Sequence, residues 1–107
     1  MFGTIMRARV KKDRRDEFAR LMMELTPSEE TGFHSAQAGW EDKDDDRVVV
    51  IAFFRDRDSY RANAERPQTD ENYRKMIDFL DGEPEWIDVN WTEYTGKPLG
   101  ETAPTRA

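Results

Sequence analysis

The chain of 107 residues contains no cysteine. That single absence excludes disulfides, thiolate metal sites, iron–sulfur clusters and cysteine nucleophiles. One histidine, His34, is too few for a multi-histidine metal site. Apolar residues make up 36% of the chain, against roughly 45–50% in an ordinary globular protein, so little apolar surface is spare. No apolar run approaches the roughly 20 residues that span a bilayer, and no leader-like segment opens the chain. The expectation is one cytoplasmic domain away from the membrane, in which the Asn90-Trp91-Thr92 glycosylation triplet is an accident. Phosphate-cradling glycine loops and a G-x-S-x-G nucleophile elbow are also missing.

Charge is plentiful. Asp and Glu number 23 against 17 Lys and Arg, and the net charge of −6 repels nucleic-acid phosphates and anionic membranes. The acidic run at residues 42–46 begins like a calcium loop, but Arg47 stands where the sixth-position glycine belongs and Phe53 where the twelfth-position glutamate belongs. No metal is expected there. Arg7, Arg9, Lys11, Lys12, Arg14 and Arg15 crowd the start of a helix. They either face an anionic ligand or acidic partner, or lie solvated and paired with Asp13, Asp16 and Glu17.

Within this polar chain the run VVVIAFF, residues 48–54, is apolar on both faces of a strand. The other elements follow from periodicity. Residues 2–10 alternate as a strand. A helix capped by Asp13 carries Phe18, Leu21, Met22 and Leu25 at single-stripe spacing and is limited by Pro27. Residues 32–41 form a second strand, turned by residues 42–46 into the apolar run. A short helix starts at Asp56 or Asp58 and breaks at Pro67. A further segment from near Thr69 spaces Tyr73, Met76, Ile77 and Leu80 as a stripe, stopped by Gly82 and Pro84. A last strand over residues 86–94 puts Ile87, Val89 and Trp91 opposite Trp86, Asp88 and Asn90. The domain spans residues 1–95, followed by a polar tail at 96–107.

The order βαββαβ predicts a ferredoxin-like α+β fold, a four-stranded antiparallel sheet with helices on one face. Two helical stripes cover only that face. Val49, Ile51 and Phe53, or their alternates, with Trp91 or Trp86, are left on the other, and a second copy pairing sheet to sheet as a homodimer is the simplest cover. An RNA-binding domain of the same order would set exposed aromatics among basic residues, which residues 48–54 do not.

The stretch Phe53-Phe54-Arg55-Asp56-Arg57-Asp58-Ser59-Tyr60-Arg61-Ala62-Asn63 resembles the antibiotic-biosynthesis-monooxygenase-like proteins of the dimeric α+β barrel superfamily, with the likeness running over residues 2–94. The resemblance implies a pocket in each subunit between sheet and helices. Some members use it to oxidise aromatic polyketides with oxygen and neither metal nor flavin. The tyrosine of that pocket is matched by Tyr60, the strand-end tryptophan by Phe54, and the active-site asparagine position falls on Val50. The haem-degrading branch is similar in fold, but its first-strand asparagine and helical histidine have no counterpart here.

The candidate catalytic residues are Tyr60, Asn63 and His34, with Trp40, Phe54 and Tyr73 as substrate-binding walls. A phenol and an amide would orient and stabilise a substrate phenolate or enolate that reduces oxygen, and His34 is the one side chain that ordinarily titrates near neutrality. The competing readings place Tyr73 in the core stripe, Asn63 in water and His34 in a structural role. The functional expectation is a cofactor-independent monooxygenase acting on a small aromatic or polyketide-like molecule. The alternatives are a non-catalytic small-ligand-binding dimer and a structural or regulatory dimerisation module.

Overall fold

A computed structural model describes residues 1–25, 27 and 31–97. Its elements run β1 (Phe2–Arg9), α1 (Arg15–Glu24), β2 (Phe33–Trp40), β3 (Arg47–Phe54), α2 (Arg57–Ala64), α3 (Pro67–Ile77) and β4 (Glu85–Asn90). The four strands form one sheet in the order β2-β3-β1-β4, with every neighbouring pair antiparallel. This is the expected ferredoxin-like α+β arrangement. Most of the proposed tail, residues 98–107, lies outside the described residues.

The register of the two central strands sorts their side chains. Phe2 pairs with Phe54, Thr4 with Ala52, Met6 with Val50 and Ala8 with Val48, all toward the helices. Ile5 with Ile51, and Gly3 with Phe53, face the other way. Met6, Ala8, Val10 and Val48 join Phe18, Met76 and Leu80 in one buried cluster. Phe18 of α1 and Val48 are each only 1% exposed. Among the described residues no helix covers the opposite face, where Ile5, Val49, Ile51, Phe53, Ile87 and Val89 lie, with Ile87 57% exposed. Trp91 folds against Phe53 there, with ring centroids 5.4 Å apart. Gly3 permits this close packing, since a Cβ would run into the Ala52 carbonyl and crowd the Trp91 indole nitrogen. That buried Nε1 has no hydrogen-bond partner among the described residues.

Local chemistry explains the helix ends. Asp56 caps α2, its Oδ1 accepting from the Ser59 N–H at 2.7 Å. Pro67 both ends the first helical run and opens α3 at its first turn, where a missing N–H costs nothing. The expected cap of α1 is different. Asp13 adopts φ 67°, a left-handed turn that Asp tolerates, and Arg14 takes the cap position without a side-chain bond.

Within the crowd of basic residues, Arg7, Arg9, Arg14 and Arg15 form ion pairs. Arg7 is bidentate to Glu41 at 2.6 and 3.0 Å, and Arg9 to Asp44 at 2.7 and 3.1 Å. Arg14 pairs with Glu17 and lies 4.2 Å from the Phe79 ring centroid. Arg15 pairs with Asp45 and lies 4.4 Å from the Trp40 ring centroid. The acidic hairpin turn therefore supplies counter-charges to β1 and α1, and its hydrogen bonds with Arg7 and Arg9 hold Glu41 and Asp44 below the usual carboxylate range.

Phe18 is the keystone of the helix-side core. Phe18→Ala is expected to cost roughly 3–5 kcal/mol by the usual penalty for a large-to-small change in a core. Chemical denaturation monitored by circular dichroism checks it, with a lower midpoint and an unchanged slope as the expected result.

Candidate functional site

Tyr60 leaves α2 toward the sheet and is held by aromatic rings. Its centroid lies 5.1 Å from Phe2 and 5.4 Å from Phe54, which meets Phe33 at 5.6 Å. The hydroxyl passes these rings and donates to Asp88 Oδ1 on the edge strand β4 at 3.2 Å. Thr4, the cross-strand partner of Asp88, also faces that hydroxyl. Thr4 in turn donates to the Ile87 carbonyl at 3.2 Å.

Alternation along β4 extends this site. Trp86 stands two residues from Asp88 on the same face, about 7 Å along the strand. It packs on Tyr73 of α3 with centroids 6.1 Å apart. Trp86 is 47% exposed and Tyr73 37% exposed, with Ile77 beside them on α3 at 38%. Trp86 and Tyr73 thus form an exposed aromatic surface on the helix-side face of β4, two residues along the strand from the Tyr60–Asp88 pair. Exposed aromatic faces of this kind bind flat apolar rings, and a few polar atoms fix their orientation.

The structure thus brings together Tyr60 and Phe54 and places Tyr73 on the same side, over β4. It separates the other candidates. Trp40 pairs with Val48 and Phe33 with Phe54, at opposite ends of β3, a distance of roughly 20 Å at about 3.3 Å per residue. Trp40 belongs instead to the α1 core, edge-on to Phe18 at 6.1 Å. His34 falls where the β2–β3 register slips between Phe33 and Ser35. It is exposed, with Nδ1 2.7 Å from the Ser35 hydroxyl, and has no contact with Tyr60. Asn63 lines a shallow cleft of about 430 Å³ between the end of α1 and helices α2 and α3, beside Glu24, Gln68, Asn72 and Lys75. Tyr60 is not part of its lining.

Asp88 and Trp86 were not among the sequence candidates. A signal existed: an aspartate centred in an alternating strand is disfavoured there and needs a partner. Among the described residues, no group of three or more His, Cys, Asp or Glu side chains is placed to hold a metal ion. No helix among them is long and apolar enough to cross a membrane.

Burial, and secondarily the Asp88 carboxylate, push the Tyr60 phenol above its ordinary ionisation range. The unfolded chain therefore releases this proton first as pH rises. The stability contributed by the neutral phenol is complete below the usual tyrosine pKa of about 10 and is lost as pH climbs through the raised value. Tyrosinate absorbance of the wild type minus that of Tyr60→Phe should show one phenol ionising later than free tyrosine. An ordinary difference curve would contradict the burial and the Asp88 contact.

The comparisons agree with this architecture. No curated protein matches the sequence. Among solved structures, an antibiotic biosynthesis monooxygenase superposes with a TM-score of 0.69 at 15% identity, covering 87% of this chain and 100% of its own. A protein of Methanosarcina mazei Go1 superposes at 0.73 with 19% identity, over 85% of this chain and 92% of its own. A Nitrosomonas europaea protein carrying the monooxygenase family's name does so at 0.73 with 18% identity, over 89% and 93%. At such identities the likeness is one of fold. The sequence model of the antibiotic biosynthesis monooxygenase family matches residues 1–71, which include β1, the central hairpin and Tyr60. The chain belongs to that family.

Proposed function

We propose that this chain is a monooxygenase that needs no metal or flavin and acts on a small hydroxylated aromatic or polyketide-like molecule on the aromatic surface beside Tyr60. The observation that carries the reading is the Tyr60 hydroxyl, anchored by Asp88 on the same strand as the exposed Trp86, which packs on Tyr73. A planar substrate lies against these aromatic rings, and its oxygen function meets Tyr60. Held this way, the deprotonated phenol is itself the four-electron reductant of dioxygen: one oxygen atom becomes the second carbonyl of a quinone, and the other leaves as water with the hydrogens of the hydroxyl and of the attacked ring carbon. The protein contributes chiefly orientation.

An oxygen electrode with metal-stripped, flavin-free protein and a panel of hydroxylated polycyclic aromatics tests this. Uptake is expected, and Tyr60→Phe should slow it roughly 10- to 100-fold by losing the substrate's orientation. Ligand binding without oxygen uptake would favour the non-catalytic reading. Phe54 and Val50, at the positions of the family's tryptophan and asparagine, point that way.

The same reading takes the chain as a homodimer. The uncovered face carries Ile5, Ile51, Phe53 and Ile87, and a contiguous apolar surface of this kind marks an interface. A second copy turned about a two-fold axis brings a matching face to it. Light scattering should report a dimer that Ile87→Asp weakens, since a charge placed in a dry interface lacks a partner. A monomer at micromolar concentration would contradict this assembly.

A further inference from the structure

We propose that Asp88 sets the polarity of the Tyr60 hydroxyl, so that Tyr60 meets a ligand as a hydrogen-bond acceptor and the site favours molecules presenting a donor hydroxyl at that point. The inference rests on the aromatic surface beside Tyr60 being the ligand site. A phenol has one proton, and a carboxylate can only accept. The 3.2 Å contact from Tyr60 Oη to Asp88 Oδ1 therefore uses that proton.

Thr4 takes no proton from Tyr60. Its hydroxyl lies 3.2 Å from the Ile87 carbonyl, to which it donates. Its effect on the phenol is that of a donor, opposing the upward push of Asp88, so toward Thr4 as well Tyr60 is an acceptor. Turning the Tyr60 proton outward would give up a charge-assisted bond, which is stronger than a neutral one. The Tyr60–Asp88 hydrogen bond is solvent-exposed, so a ligand can approach the phenol oxygen. A ligand hydroxyl can donate to it. A methoxy or carbonyl oxygen at the same place would set lone pair against lone pair. Asp88 acts through Tyr60 and is a positioning residue.

Asp88→Ala tests the inference, since Asp88 is exposed on an edge strand and its side chain is not part of the core. The first readout needs no ligand. Tyrosinate titration should show the Tyr60 phenol ionising earlier in Asp88→Ala than in the wild type, and an unchanged curve would overturn the proposal. The second is calorimetric binding of naphthol against methoxynaphthalene. The wild type should prefer naphthol roughly five- to ten-fold, the worth of one hydrogen bond. The preference should vanish in both Asp88→Ala and Tyr60→Phe. Equal wild-type binding of the two probes, or a preference that survives Asp88→Ala, overturns the inference and leaves the aromatic surface standing as the ligand site. If neither probe binds, that reading of the surface fails and the inference fails with it.

Discussion

A sheet has two faces, and this chain has helices for one. The central strands β1 and β3 carry apolar residues on both sides, so the described residues divide into a helix-covered core and an apolar face that none of them covers. Phe18, Met76 and Leu80 close the covered side over Met6, Ala8 and Val48. The acidic hairpin turn supplies counter-charges to Arg7 and Arg9 of β1 and to Arg15 at the start of α1.

The site follows from where that cover thins. Toward β4 the helices no longer bury the strand, and Trp86 and Tyr73 stack at its edge half in solvent. Phe2 and Phe54 grip the Tyr60 ring, and Asp88 takes its proton, so the hydroxyl is fixed by two kinds of force at once. Apolar packing sets where the oxygen sits, and the hydrogen bond sets which way it faces.

Much of this was legible before any coordinates. Period-two and single-stripe patterns give every strand and helix, Asp56 and Asp58 both offer a start for α2, of which the structure takes Asp56 as the cap, and Pro67 marks the break between α2 and α3. Other features were hidden for physical reasons. The register slip at His34 carries no glycine or proline to announce it, so simple alternation aligned His34 with Ala36 and Trp40. Trp40 and Phe54 share a sheet face, yet the hairpin register sets them at opposite ends of it. Tyr73 shares a stripe with Met76 and Leu80, but it lies over the edge strand, where the sheet is too narrow to bury it. The pairing of Asp88 with Tyr60 is invisible to local pattern because the two lie 28 residues apart in the chain.

The central claim is that ligand binds on the aromatic surface of β4 and α3 beside Tyr60. Amide chemical-shift mapping with naphthol tests it most directly. The account predicts that the shifts concentrate at Tyr60, Tyr73, Trp86 and Asp88, leaving Trp40, His34 and Asn63 undisturbed. Shifts centred instead on the cleft beside Asn63 and Lys75, or on Trp40 at the far end of the sheet, would contradict it.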